Sequence, residues 1–230
     1  MNQILILNGP AGSGKDTIAE HLASHCHFMQ CEMKEQLFEL AMSLALVGFN
    51  DWYKRYEDRE LKETPWDRLP IDPITGLHHS QRSWMIYVSE DIVKPHMGRD
   101  YFGQVEATKR QRMFDCYARE YQDECPTPVY SDGGFEDEII PLTKLPDTEV
   151  IICRLHRKGC NFDTDSRDYL YMDSVKSYDV SVIEDDIENT VHNVLTGFYS
   201  FFIKPVPVWN YVPKNDLVFK GQYMQTPVKE

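Results

Sequence analysis

The sequence predicts an α/β fold: a parallel sheet of about five strands with helices on both faces, three layers in all. Two observations carry this. Residues 3–8 are a short apolar run that ends at a glycine, as a buried strand does. Beyond it, apolar runs of strand length alternate with segments of helical periodicity. Such alternation implies right-handed crossovers within one parallel sheet.

Taken in order, residues 15–24 read as a helix with Ile18 and Leu22 on one face, and 27–31 as a second strand. A helix rich in Leu, Met and Ala spans 33–47. Residues 50–79 are polar and aromatic, carry Pro65, Pro70, Pro73 and the turn Thr75-Gly76, and read as an insertion or mobile flap over the site. Helical periodicity resumes over 80–93, where Trp84, Val88 and Ile92 share a face, and again over 101–121. Strands are expected at 128–131, ending at Asp132 before Gly133-Gly134, then at 149–154 and 178–183, with a closing helix over 186–198. The main domain is thus 1–198. Residues 199–230 form a Pro- and aromatic-rich arm, suited to an ordered extension or an oligomer contact.

Composition narrows the function. A formal net charge of −13 gives little non-specific attraction to nucleic acid, so a nucleic-acid substrate would need a local basic groove. No apolar run approaches the roughly 20 residues of a membrane span, and the apolar start is too short for a signal peptide. Six cysteines without a C-x-x-C pair suggest reduced thiols in a cytoplasmic protein rather than a zinc site or a disulfide framework.

The strongest motif is Gly9-Pro10-Ala11-Gly12-Ser13-Gly14-Lys15-Asp16-Thr17, a G-x-x-x-x-G-K loop between a strand and a helix. Its glycines let backbone N–H groups converge on an anion at the positive end of the helix. Lys15 is placed to reach the β- and γ-phosphates of ATP. Asp16 stands where Ser or Thr normally ligates Mg²⁺; a carboxylate is also a good hard ligand for that ion. Thr17 is then free to bond the α-phosphate.

The G-K-D-T ending resembles the bacteriophage deoxynucleoside monophosphate kinases within the thymidylate-kinase-like group of P-loop kinases. The likeness covers most of residues 3–198. Met33-Lys34-Glu35 sits where those kinases carry a lysine at the head of the second helix, and Arg82 begins a helix similar to their acceptor-side helix. Asp100-Tyr101-Phe102 resembles an aspartate-aromatic pair that follows it. The run from Ser131 to Glu138 occupies the place of a strand-end D-x-R-F-x-x-E motif. The resemblance implies a three-layer P-loop kinase in a host cytoplasm, using ATP and Mg²⁺ on a deoxynucleotide-type acceptor, DNA or a free monophosphate, held in part by Lys34 and Arg82.

One departure bears on the acceptor. Gly134 replaces the arginine expected beside an acceptor phosphate. A phosphate acceptor needs no base, whereas a hydroxyl acceptor does, and Asp132 is the candidate. This points to the neighbouring phage kinases that phosphorylate the hydroxymethyl of 5-hydroxymethyluracil in DNA. Asp132 equally fits a Mg²⁺-shell carboxylate or a turn former. Lys109, Arg110 and Arg112, and Arg154, Arg157 and Lys158, form two basic clusters, with Arg157 and Arg167 as lid candidates. Arg82 suits an acceptor phosphate or a salt bridge at its helix start. Trp66, Trp84, Tyr87 and Phe102 suit base stacking or a core, and His78-His79 lacks ligand partners at metal spacing. The alternatives are a free deoxynucleoside monophosphate kinase and, without an acceptor, a P-loop NTPase or switch; the absence of a clear Walker B strand weighs against the last.

Overall fold

Strand β1 (Asn2–Asn8) is apolar on both faces because it is the central strand of the sheet. In the computed structural model, which describes residues 1–120, 125–163, 165 and 167–202, five strands run parallel in the order β2-β3-β1-β4-β5. The other four are β2 (Phe28–Cys31), β3 (Thr127–Tyr130), β4 (Thr148–His156) and β5 (Lys176–Ser181). β1 pairs with β3 through Leu5 and Ile6, and with β4 along its whole length from Asn2 to Asn8.

Side chains alternate across this strand. Leu5 and Leu7 pack with α1 (Lys15–His25) and α9 (Ile187–Tyr199) through Ile18, Leu22, Val194 and Phe198. Ile4 and Ile6 face α7 (Tyr101–Glu120) and α8 (Glu136–Thr143) through Phe114, Ile139 and Leu142. The result is the expected three layers. α8 was not legible in the sequence, because Gly133-Gly134 before it and Pro141 inside it both read as breakers. Pro141 lies near the helix end, where one lost backbone hydrogen bond is tolerated.

Residues 50–79 depart from the expected flap. They hold most of α3 (Phe49–Glu57), all of α4 (Arg59–Glu63) and two isolated antiparallel bridges, Pro65 with Ser80 and Ile71 with His78. Trp52 is completely buried and joins a third core with Phe38 and Ala41 of α2 (Glu35–Ala45), Leu69, and Trp84 of α5 (Gln81–Tyr87). The polar composition concealed a helix with one apolar stripe, Trp52 and Tyr56 being four residues apart. Past α5 the helix widens into a π-turn over Val88–Val93 before α6 (Lys94–Met97), whose Pro95 has no N–H to continue the α-helical ladder. The expected arm over 199–230 lies outside the described residues from 203 onward.

Gly103 sets how closely α7 meets α8. A Cβ there would stand 2.4 Å from the Glu138 carbonyl oxygen, so only glycine allows the approach. Gly103→Ala should lower stability by about 1–3 kcal/mol through overpacking despite alanine's better helix propensity. Thermal unfolding checks this, and an unchanged or raised Tm would contradict it.

Candidate active site

The chain leaves β1 into a loop whose shape needs glycine. Gly12 and Gly14 have φ of 80° and 87°, the left-handed region that other residues rarely enter. At Gly9 a Cβ would meet the Ser13 hydroxyl at 2.7 Å and the Leu155 carbonyl at 2.9 Å, so the loop passes directly against β4. The loop ends at the amino terminus of α1, where unpaired backbone N–H groups favour an anion. Lys15 curls back over it, donating to the carbonyls of Gly9 (2.6 Å) and Pro10 (2.7 Å). Burial lowers the Lys15 pKa, and the nearby positive charge of Arg167 lowers it further. A second negative partner would relieve both effects. Ala11 and Thr17 are exposed, Thr17 on the first turn of α1.

The end of β3 carries two oxygen-bearing side chains, Ser131 and Asp132. The Ser131 hydroxyl, just past β3, donates to Asp16 Oδ1 at 2.6 Å and so orients the carboxylate expected at Mg²⁺. The sequence did not reveal this partner, because 115 residues separate the two. Asp132 is occupied differently: Oδ1 accepts the Met33 N–H at 3.0 Å and Oδ2 the Lys34 N–H at 3.1 Å. It thereby holds the start of α2 against the end of β3. The Lys34 ammonium stands 3.9 Å from it and 3.2 Å from Glu32. Burial raises the Asp132 pKa, opposed by Lys34 and the two amides. Lys34 is also partly buried; that burial is outweighed by Asp132, Tyr56 and Glu32, and its pKa rises.

A third carboxylate, absent from the expected site, is Glu138 in the first turn of α8. Its pKa is pushed up to about 7, by burial first and by the charge of Asp132 second; Lys94, the Gly134 N–H and Arg167 act the other way. Perturbed carboxyls of this kind concentrate at functional sites. The only sequence signal was its position, six residues past Asp132 in the run that resembles a kinase motif.

The segment after β4 folds back over the same edge. Buried Asn8 fixes it: the side chain donates to the Asp168 carbonyl at 3.3 Å and accepts the Leu170 N–H at 3.0 Å. This brings Arg167 across Gly134, where a Cβ would lie 2.3 Å from Arg167 Cδ. The missing side chain at 134 is therefore filled by an arginine from another segment. Asp165 grips that guanidinium through two hydrogen bonds, 2.9 and 2.5 Å. Those bonds hold the Asp165 carboxyl below its ordinary pKa, with Arg82 also contributing. Cys160, Phe162, Asp165, Arg167 and Tyr169 line an open cleft of about 420 Å³ here. Arg157 reaches the loop, donating to the Gly12 carbonyl at 3.1 Å and approaching Glu184 at 3.5 Å. Arg82 pairs with Glu63 at 3.3 Å.

Much of the expected basic surface is internally committed. Lys109 meets Glu35 at 2.7 Å and Glu106 at 3.1 Å, and Arg110 donates to Cys31 Sγ at 2.8 Å. Arg154 is buried, with a bidentate pair to Asp179 at 2.9 and 2.8 Å. Trp84 and Phe102 are core residues, Trp84 donating to the Ala41 carbonyl at 2.9 Å. His79 is buried against Ser83, and among the described residues no group of three His, Cys, Asp or Glu could hold a metal. No described helix is long and apolar enough to cross a membrane. All six cysteines are free.

No protein-family model and no curated protein matches the chain. Among solved structures it is similar to a sugar kinase from Janibacter sp. HTCC2649, at 11% identity over 88% of this chain and 96% of that one, TM-score 0.45. Another is a gluconokinase from Sinorhizobium meliloti 1021, at 13% identity over 86% and 93%, TM-score 0.37. At this distance the functional reading rests on the chain's own residues.

The Arg154–Asp179 pair gives a pH test. Arg154 hydrogen bonds hold the Asp179 pKa down to about 2, helped by His156. A depressed carboxyl stabilises the fold above its unfolded pKa of about 4, and that contribution disappears as pH falls through about 2. Asp179→Asn should therefore lower Tm at neutral pH and flatten the decline between about pH 4 and 2. Parallel curves for the two proteins would contradict the assignment.

Proposed function

We propose that the chain is an ATP-dependent phosphotransferase whose acceptor presents a hydroxyl group. The observation that carries this reading is a single edge holding two different sites. One is the glycine loop with Lys15, a site for phosphate; the other is the carboxylate pair Asp132 and Glu138, suited to a hydroxyl proton.

The residues fit Mg²⁺–ATP. Asp16 offers a hard oxygen ligand oriented by Ser131, and a Mg²⁺ site of this class completes its shell with phosphates and water rather than with a protein cage. Bound there, the ion would supply neutralising charge to the phosphates. Lys15 exchanges its loop carbonyls for phosphate oxygens, while Arg157 and Arg167 stabilise charge on the transferring group. The acceptor oxygen attacks the γ-phosphorus in line, its proton passes to a carboxylate, and ADP leaves.

Among acceptors, the hydroxymethyl of 5-hydroxymethyluracil suits this chemistry. The internal pairing of Lys109, Arg110 and Arg154 favours a nucleotide or a short single strand over a duplex tracked by a basic groove. A second reading, a free deoxynucleoside monophosphate kinase, draws support from Arg167 and Arg82, cations able to hold an acceptor phosphate.

Transfer from γ-labelled ATP separates these readings. The acceptors are a hydroxymethyluracil oligonucleotide, 5-hydroxymethyl-dUMP, a panel of deoxynucleoside monophosphates, and water. Label on a hydroxymethyl group is expected; label in diphosphates supports the second reading, and label only as free phosphate supports an NTPase. Lys15→Ala should reduce transfer about 10²- to 10³-fold and weaken ATP binding. Native ATP affinity and rate in that variant would sink the assignment.

A further inference from the structure

The glycine loop and the end of β3 meet through one charge-assisted hydrogen bond, from the Ser131 hydroxyl to Asp16 Oδ1 at 2.6 Å. In P-loop enzymes a serine or threonine of the loop and a carboxylate at a strand end together hold Mg²⁺. This chain carries the same two side-chain types in the opposite places. The carboxylate is on the loop, directly after Lys15, and the hydroxyl is at the strand end. β3 lies beside β1, with Tyr130 in register with Ile6, so Ser131 leaves the sheet at the edge where the loop begins.

Asp132, the carboxylate one residue further on, is committed elsewhere. Its Oδ1 accepts the Met33 N–H at 3.0 Å and its Oδ2 the Lys34 N–H at 3.1 Å, with the Lys34 ammonium 3.9 Å away. These bonds tie it to the head of α2 and not to the loop. Ser131 differs. It is 3% exposed, so the sheet fixes its position, and with its proton given to Asp16 its oxygen keeps lone pairs for a further partner. Asp16 is exposed, and the Ser131 contact takes only one of its two oxygens.

This pair suits a hard cation. Two oxygens 2.6 Å apart are close to the roughly 3 Å between adjacent ligands of an octahedral Mg²⁺. Such an ion needs few protein ligands, because phosphates and water fill the rest of its shell.

Resting on the Mg²⁺–ATP reading above, we propose that Asp16 and Ser131 have exchanged the two usual ligand places. The loop supplies the charge, the end of β3 supplies the hydroxyl, and Asp132 stands outside the shell. Ser131 is then a ligand in its own right as well as a support for Asp16. The exchange also leaves Asp132 on the acceptor side, with its charge not spent on the ion.

The test uses the full chain, the β,γ-imido analogue of ATP, and Mn²⁺ as the probe metal, with free Mn²⁺ read from its electron paramagnetic resonance signal. The bound analogue should hold Mn²⁺ more tightly than the free analogue does, because the protein adds two oxygens. Asp16→Asn and Ser131→Ala should each lose about 10- to 100-fold in Mn²⁺ affinity. Both should bind the metal-free analogue at least as tightly as before, since the glycine loop and Lys15 are intact. Asp132→Asn should leave Mn²⁺ affinity unchanged. Combining Asp16→Ser with Ser131→Asp should regain most of what Asp16→Ser alone loses, because position 131 reaches the ion. If Ser131 only oriented Asp16, the combination would recover Tm, measured without metal, and no Mn²⁺ affinity. That result overturns the proposal and leaves the kinase reading intact. The same holds for native Mn²⁺ affinity in Ser131→Ala, for a loss in Asp132→Asn as large as in Asp16→Asn, and for bound analogue that holds Mn²⁺ no better than free analogue. Wild-type protein that does not bind the analogue overturns both readings.

Discussion

The last residue of strand β1 and the glycine that follows it have opposite requirements, and the local geometry depends on both. Asn8 must carry an amide, because its side chain takes one hydrogen bond from the 168–170 backbone and gives one back. Gly9 must carry nothing, because the Leu155 carbonyl and the Ser13 hydroxyl fill the space where a Cβ would go. The first brings the arginine-bearing segment over the sheet edge, and the second sets the glycine loop against β4. Since β1 lies between β3 and β4, the ends of those strands, Ser131-Asp132 and Arg157, converge there as well. Open parallel sheets place ligands at such carboxyl edges, where neighbouring connections diverge.

Charge is concentrated at this edge by default. The chain carries a formal net charge of −13, and several of its cations are neutralised locally: Lys109 by Glu35 and Glu106, Arg154 by Asp179, Lys176 by Glu149. At the loop, by contrast, Lys15 rests on carbonyl oxygens, while Arg157 donates to one more and stands 3.5 Å from Glu184. Burial and Arg167 both depress the Lys15 pKa, so the lone ammonium sits in an environment that favours arrival of negative charge. Across the edge, burial raises the carboxyl pKa values of Asp132 and Glu138, and the Asp132 charge adds to the rise at Glu138. The glycine loop and these carboxyls thus feel the same guanidinium, Arg167, whose charge acts on Lys15 as well as on Glu138 and Asp132.

The regions where sequence and structure diverge share one cause, contacts between segments distant in the chain. Residues 50–79 look like a flap by composition, yet Trp52 anchors them in a third core with Phe38 and Trp84. Gly134 reads as a lost arginine. In space it is the floor on which Arg167 lies, and the guanidinium returns from 33 positions further along the chain. Ser131 looks like a strand-end residue until Asp16, on the far side of the phosphate loop, accepts its hydrogen bond.

By itself the sequence determined the α/β class, the parallel sheet and the glycine-rich turn between β1 and α1, because each follows from local chemistry. Apolar runs have no alternative to burial, and the G-x-x-x-x-G-K spacing specifies a backbone shape directly. Only the tertiary structure decided which carboxylate is tied to backbone and which is left near neutrality, which cations are already paired, and which arginine faces Lys15. Those properties depend on desolvation and on neighbours brought together by folding, and neither is written in the spacing of residues along the chain.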